Sequence, residues 1–213
     1  VAEARWVAQK GISSNNSNNA ASSSPRQRLI TAGNDGTVCL WDLTQVSTSN
    51  GTPKCRLQTG KGLHSSGIFS LDILPPAAQE QLIVTGSKDK TVKLSSLATQ
   101  EWGWWASDIH SSKVGDVRLS PTNLNLLGSV GDDGLVVLHD FRAHRIVAES
   151  NSAHVRPHSI SFHPTVEYLF MTAGHDKTIK LWDARRFGGP AANPIGTLEG
   201  HVPVQQMRCK RIH

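Results

Sequence analysis

At 213 residues and 38% hydrophobic, the chain carries enough apolar material to bury a sizeable core, and its net charge of +5 is spread through loops, with no block long enough to be a nucleic-acid-binding tail. No run approaches the roughly 18 consecutive apolar residues of a membrane-spanning helix, and the first residues lack a basic-then-apolar secretory leader. The cysteines, Cys39, Cys55 and Cys209, are odd in number and show no Cys-x-x-Cys spacing, so a reducing compartment is expected, nuclear or cytoplasmic.

In chain order, residues 13–24 come first. This Ser/Asn tract has no apolar side chain larger than alanine and is expected to be a disordered insertion, because it cannot offset the entropy of ordering. Leu29–Gly33 and Thr37–Asp42 follow as two short apolar alternations joined by Asn34-Asp35-Gly36, which is a hairpin; residues 44–54 read as a polar connection to an outer strand. The hairpin then recurs three times. Gln81–Gly86 and Thr91–Leu94 flank Lys88-Asp89-Lys90, Leu124–Val130 and Leu135–Leu138 flank Asp132-Asp133-Gly134, and Tyr168–Gly174 and Thr178–Asp183 flank His175-Asp176-Lys177. A further strand precedes each of these, in Gly67–Leu74, Val114–Leu119 and Ser159–Pro164, and ahead of it stands a histidine, His64, His110 or His154. His201 continues that series at a spacing of about 45 residues, and Val202–Met207 reads as the first strand of another unit. No segment reads as an amphipathic helix. Trp102, Trp104 and Trp105 lie in what should be the outermost strand of the second unit, and are expected to pack mainly against a neighbouring unit.

A fixed period of this length is the mark of a repeat protein. Trp41-Asp42 and Trp182-Asp183 close the first and fourth units and, with the leading histidines, resemble the signature of the WD-repeat family, in which each repeat supplies one four-stranded propeller blade. The resemblance implies an all-β propeller with four recognisable blades, at about 1–63, 64–109, 110–153 and 154–200, plus the start of a fifth in 201–213. It is expected to be a fragment of a seven-bladed ring. Ser95-Ser96 and His139-Asp140 stand where Trp-Asp belongs in the second and third units.

The resemblance also implies a structural tetrad, complete in the fourth unit as His154, Thr172, Asp176 and Trp182. Aspartate accepts from imidazole, imidazole from the hydroxyl, and the hydroxyl from the indole N–H, so each buried polar group has a partner. The other units hold partial tetrads: Thr31, Asp35 and Trp41 in the first, His64, Thr85 and Asp89 in the second, His110, Ser129 and Asp133 in the third. Lacking the tryptophan, the second and third are expected to be less rigid.

These groups do not read as an active site. The hydroxyl, histidine and aspartate recur in every blade and no Gly-x-Ser-x-Gly elbow is present, so no enzyme is expected and no catalytic residue is assigned. His154, His158 and His163 fail as a helical metal pair because Pro157 falls among them, and Gly60-Lys61 lacks the rest of a phosphate loop; no metal, cofactor or small-molecule substrate is expected. The expected role is a protein–protein interaction scaffold. Asp140-Phe141-Arg142 and Asp183-Ala184-Arg185 resemble the paired Asp-x-Arg ends of WD-repeat substrate receptors of cullin-4 ubiquitin ligases, which would make Asp140, Arg142, Asp183 and Arg185 adaptor-binding residues. The alternative is a chromatin-associated protein that binds histone tails or nucleic acid, motivated by the positive charge and the family resemblance.

Overall fold

The computed structural model describes residues 3–7, 28–42, 62–74, 81–99, 101–151, 153–188 and 192–200. The Ser/Asn tract at 13–24, the connection at 44–54 and the start of a further blade at 201–213 lie outside the described residues. Every regular element within them is a strand. β1 (Glu3–Val7), β2 (Arg28–Ala32) and β3 (Val38–Asp42) form a three-stranded antiparallel sheet. β4 (Ile68–Ile73), β5 (Leu82–Ser87), β6 (Val92–Ser96) and β7 (Glu101–Ser107) form a four-stranded meander, as do β8 (Val114–Leu119), β9 (Leu126–Gly131), β10 (Val136–Asp140) and β11 (Arg145–Ser150). The last sheet contains β12 (Pro157–Phe162), β13 (Leu169–Gly174), β14 (Ile179–Asp183) and β15 (Gly196–Leu198). These sheets are propeller blades. No helix among the described residues is long and apolar enough to cross a membrane.

Local chemistry explains the hairpins. In each turn between the second and third strands of a blade, an aspartate accepts the backbone N–H two residues on: Thr37 to Asp35 at 3.1 Å, Thr91 to Asp89 at 3.0 Å, Leu135 to Asp133 at 3.0 Å and Thr178 to Asp176 at 3.2 Å. The next position is left-handed, at φ of 76° and 88° for Gly36 and Gly134 but also 75° and 62° for Lys90 and Lys177. A side chain in that conformation costs roughly 1 kcal/mol that glycine avoids.

The inner strands β1, β4, β8 and β12 pack side by side in that order. Each of the last three carries a register shift, between Ile68 and Ser70, Val114 and Asp116, and Pro157 and Ser159, which places Phe69, Gly115 and His158 at equivalent irregular positions. No blade encloses a core of its own. Ile30, Val38, Ile68, Leu71 and Ile83 fill the seam between the first and second blades; Val84, Leu94, Val117 and Leu127 fill the next; Leu126, Leu138, Ile160, Phe170 and Trp182 fill the seam between the third and fourth. Trp102 packs against the first seam, and Trp105 is buried in the second, edge-on to His139 with ring centroids 5.5 Å apart. The side chain of Trp104 lies outside the described residues.

Polar groups also knit the inner strands together. Asp116 on β8 is buried and accepts from Ser70 Oγ of β4 at 2.6 Å and from Ser159 Oγ and the Ile160 amide of β12 at 2.8 and 3.2 Å, with Arg118 3.0 Å away. Burial raises its carboxyl above the ordinary value, against the opposing pull of Arg118 and these donors. One side chain thus ties three blades.

Candidate functional site

The fourth blade brings His154, Thr172, Asp176 and Trp182 into one hydrogen-bond chain. Trp182 Nε1 donates to Thr172 Oγ1 at 2.7 Å, Thr172 Oγ1 donates to His154 Nε2 at 2.8 Å, and His154 Nδ1 donates to the Asp176 carboxylate at 2.9 Å. The Asp176 carboxylate only accepts, so the neutral imidazole carries its proton on Nδ1, Nε2 is left to accept from Thr172, and a lone pair of that hydroxyl takes the indole N–H. Burial lowers the His154 imidazole below its ordinary value, opposed by Asp176.

In the second blade His64 Nδ1 donates to Asp89 at 3.0 Å and Thr85 Oγ1 to His64 Nε2 at 2.8 Å, and Ser95 turns elsewhere: its buried Oγ accepts the Gly103 amide of β7 at 2.8 Å. Burial pushes the Asp89 carboxyl up, but hydrogen bonds from Thr91, the charge of His64 and the Ser65 amide outweigh it and bring it down to about 2. The first blade keeps the Trp41 Nε1 bond to Thr31 Oγ1, 2.9 Å, while Asp35 caps Thr37 without a histidine.

The third blade differs from the open tetrad expected of its sequence. His110 Nδ1 lies 3.2 Å from Asp133 and His110 Nε2 2.9 Å from Ser129 Oγ, and His139 Nε2 comes within 3.0 Å of the same hydroxyl. Ser129 has one proton and gives it to His110, so His139 must be the donor, protonated on Nε2, in the place an indole N–H holds elsewhere. Burial, reinforced by the charge of His110, pushes the His139 imidazole down to about 3. It is a neutral donor at physiological pH.

The Asp-x-Arg residues lie at the opposite end of the blades from the tetrad turns. Asp140 and Asp183 end the third strands β10 and β14, and Arg142 and Arg185 follow each. Arg185 pairs with its own Asp183, Nη2 to Oδ2 at 2.6 Å and Nε to Oδ1 at 2.9 Å, and stacks 3.8 Å from the Tyr168 ring centroid. The Arg185 hydrogen bonds hold the Asp183 carboxyl down at about 2. Asp140 instead accepts the Ala143 amide at 2.9 Å, and Arg142 is exposed, its guanidinium 5.9 Å from the Phe141 ring. Asp140 and Arg185 share the rim of a cleft of about 410 Å³ between the third and fourth blades, floored by Leu126, Leu138, Val147 and Ala184. Arg142 does not line it. Arg145, Glu167 and Tyr168, to which no motif in the sequence pointed, also line it, and Asn123 Nδ2 donates across the seam to Glu167 at 3.2 Å.

His158, His163 and His175 have local duties. His163 Nδ1 accepts the Val166 amide at 2.9 Å, and His158 packs edge-on to His175 with centroids 4.7 Å apart, so the three histidines near Pro157 do not converge.

The profile of the WD domain, G-beta repeat family matches residues 12–42, 57–94 and 144–183, just over half of the chain. The chain belongs to the WD-repeat family. The matched stretches omit the third hairpin, where His139 replaces the signature tryptophan, although the blade is built there as in the others. Among related WD-repeat chains, an RbAp48-related WD40 repeat-containing protein, prw1, of Schizosaccharomyces pombe is 35% identical over 57% of this chain and 30% of its own length. Histone acetyltransferase type B subunit 2 of Candida albicans is 32% identical over 58% of this chain and 32% of its own. A probable cytosolic iron-sulfur protein assembly protein, CIAO1 homolog, of Chlamydomonas reinhardtii is 33% identical over 53% and 38%. The chain spans about a third of the length of these curated relatives.

Proposed function

We propose that this chain is part of a chromatin-associated WD-repeat scaffold that binds histones in the nucleus, without catalysis of its own. The observation that carries this reading is the similarity, over more than half of the chain, to a relative named as a histone acetyltransferase subunit. Geometry adds a place for contact. The cleft between the third and fourth blades has an apolar floor and charges of both signs on its wall, Asp140 and Glu167 with Arg145 and Arg185, which suits a segment with an apolar anchor flanked by polar groups. The serine, threonine, histidine and aspartate groups that resemble a hydrolytic set are committed to the tetrads, and the hydroxyl-bearing Thr85, Ser129 and Thr172 are buried.

The cullin-4 receptor reading rests on the paired Asp-x-Arg ends, Asp140 with Arg142 and Asp183 with Arg185, and draws less support than the histone reading. Arg185 already has a partner within its own blade, the bland role such a residue plays in many repeats.

Titration of the chain with purified core histones and with purified ligase adaptor separates the two. Histone binding that weakens about tenfold in Asp140→Ala/Glu167→Ala supports the histone reading. Adaptor capture abolished by Arg142→Ala/Arg185→Ala, with no histone binding, replaces it with the ligase reading.

A further inference from the structure

The end of the blades that carries the tetrad turns holds a second site. Asp132 sits at its centre, its side chain 7% exposed. Its Oδ2 lies 3.3 Å from Lys113 Nζ and 3.2 Å from Arg156 Nη2, so one carboxylate oxygen serves two cations from loops leading into neighbouring blades. Its Oδ1 is buried without a hydrogen-bond partner, and His158 Nδ1 stands 4.0 Å away. A pocket of about 180 Å³ opens there, walled by Phe69, Lys113, Gly115, Asp132 and His158. The Phe69 ring is 40% exposed, on the irregular position of β4.

The same end of the blades is cationic. Lys88, Lys90 and Lys177 stand exposed on the turns of the second and fourth blades, joining Lys113 and Arg156. Lys90 and Lys177 hold left-handed backbone, at φ of 75° and 62°, where the corresponding turns of the first and third blades use Gly36 and Gly134, and Arg156 does so at φ of 52° in the loop before β12. Most of the acids at this end are engaged: Asp89, Asp133 and Asp176 by the tetrad histidines, Asp132 by Lys113 and Arg156. Asp35 and Asp108 are the exposed exceptions.

We propose that this end of the second to fourth blades binds single-stranded nucleic acid, with one unpaired base in the Asp132 pocket and the phosphates running over the lysines of the turns. A buried carboxylate oxygen without a donor accepts the amino or imino N–H of a base edge. An exposed aromatic ring beside it stacks on the base face, and the flanking cations take the phosphates. A base inside a duplex cannot enter such a pocket without leaving its stack. A basic histone tail meets like charge here, and an acidic peptide would satisfy the lysines but leave Asp132 Oδ1 and Phe69 unused. RNA and DNA strands share the required chemistry. The site is independent of the histone reading above.

The test is fluorescence anisotropy of the chain with labelled strands of about 20 nucleotides, as RNA, as DNA and as the matching duplex, over a series of salt concentrations. Single strands should bind with an affinity that falls steeply with salt, and the duplex about tenfold more weakly. Lys90→Glu/Lys177→Glu should lower affinity for every strand by about tenfold or more, and Phe69→Ala should remove the preference for single strands over duplex. Circular dichroism checks that both variants fold, which their exposed side chains allow. A ratio of RNA to DNA affinity names the preferred sugar. No salt-dependent binding by the parent overturns the proposal, as does equal binding by the lysine variant. Competition by polyglutamate as strong as that of a strand of equal charge also overturns it, and assigns the surface to acidic proteins.

Discussion

Replacing His139 by glutamine should make the protein more resistant to acid. The neutral imidazole donates from Nε2 to Ser129 Oγ at 3.0 Å, and a glutamine amide can offer an N–H from nearly the same point without titrating. In the folded chain His139 is pushed from its ordinary value of 6.5 down to about 3, by burial first and then by His110. Between those two values the unfolded chain binds a proton that the folded chain refuses, so stability is full above the unfolded value and falls as pH falls. At 1.36 kcal/mol for each unit below the unfolded value, the penalty is about 2 kcal/mol near about pH 5 and about 3 kcal/mol near about pH 4. His64, His110 and His154 are also lowered by burial, but they are common to parent and variant, so the difference between the two isolates His139. Urea unfolding followed by tryptophan fluorescence over a pH series measures it. The variant should match the parent within about 1 kcal/mol at neutral pH and overtake it on acidification. Parallel pH profiles would refute a buried neutral donor at this position.

Asp116→Ala should destabilise by about 3–5 kcal/mol, because it strands a buried Arg118 and orphans donors on three inner strands, and thermal or urea unfolding will show whether it does. Asp89→Ala and Asp176→Ala should each cost about 1–3 kcal/mol by leaving a buried imidazole N–H without its acceptor, and unfolding should show losses of similar size, since Asp89 holds Ser65 and Thr91 besides His64 despite the missing tryptophan.

The hairpins were legible from the chain because their information is local. A turn aspartate, a residue able to take left-handed backbone, and apolar alternation on either side all fall within about 15 residues. The third blade was legible in outline, yet the role of His139 was not, since a histidine at a tryptophan position looks like a loss until its Nε2 is placed beside Ser129. Asp116 was harder still. An aspartate on an otherwise apolar inner strand is a visible anomaly, but its partners Ser70 and Ser159 lie more than 40 residues away on either side and meet it only when three blades are assembled. The cleft beside Asp140 and the pocket beside Asp132 have the same origin: each needs side chains from more than one blade, and no window of sequence contains them.

The division of the core among seams sets how disturbance travels. Leu126 and Leu127 are consecutive on β9, yet one faces the fourth blade and the other the second. The third blade is therefore a partition wall, papered on both sides by its neighbours' side chains. Prying at the cleft between the third and fourth blades shifts a backbone whose next residue is embedded in the opposite seam. A partner seated in that cleft is felt one blade further on, with nearest-neighbour coupling as the rule and each blade relaying strain through alternate residues of its own strands.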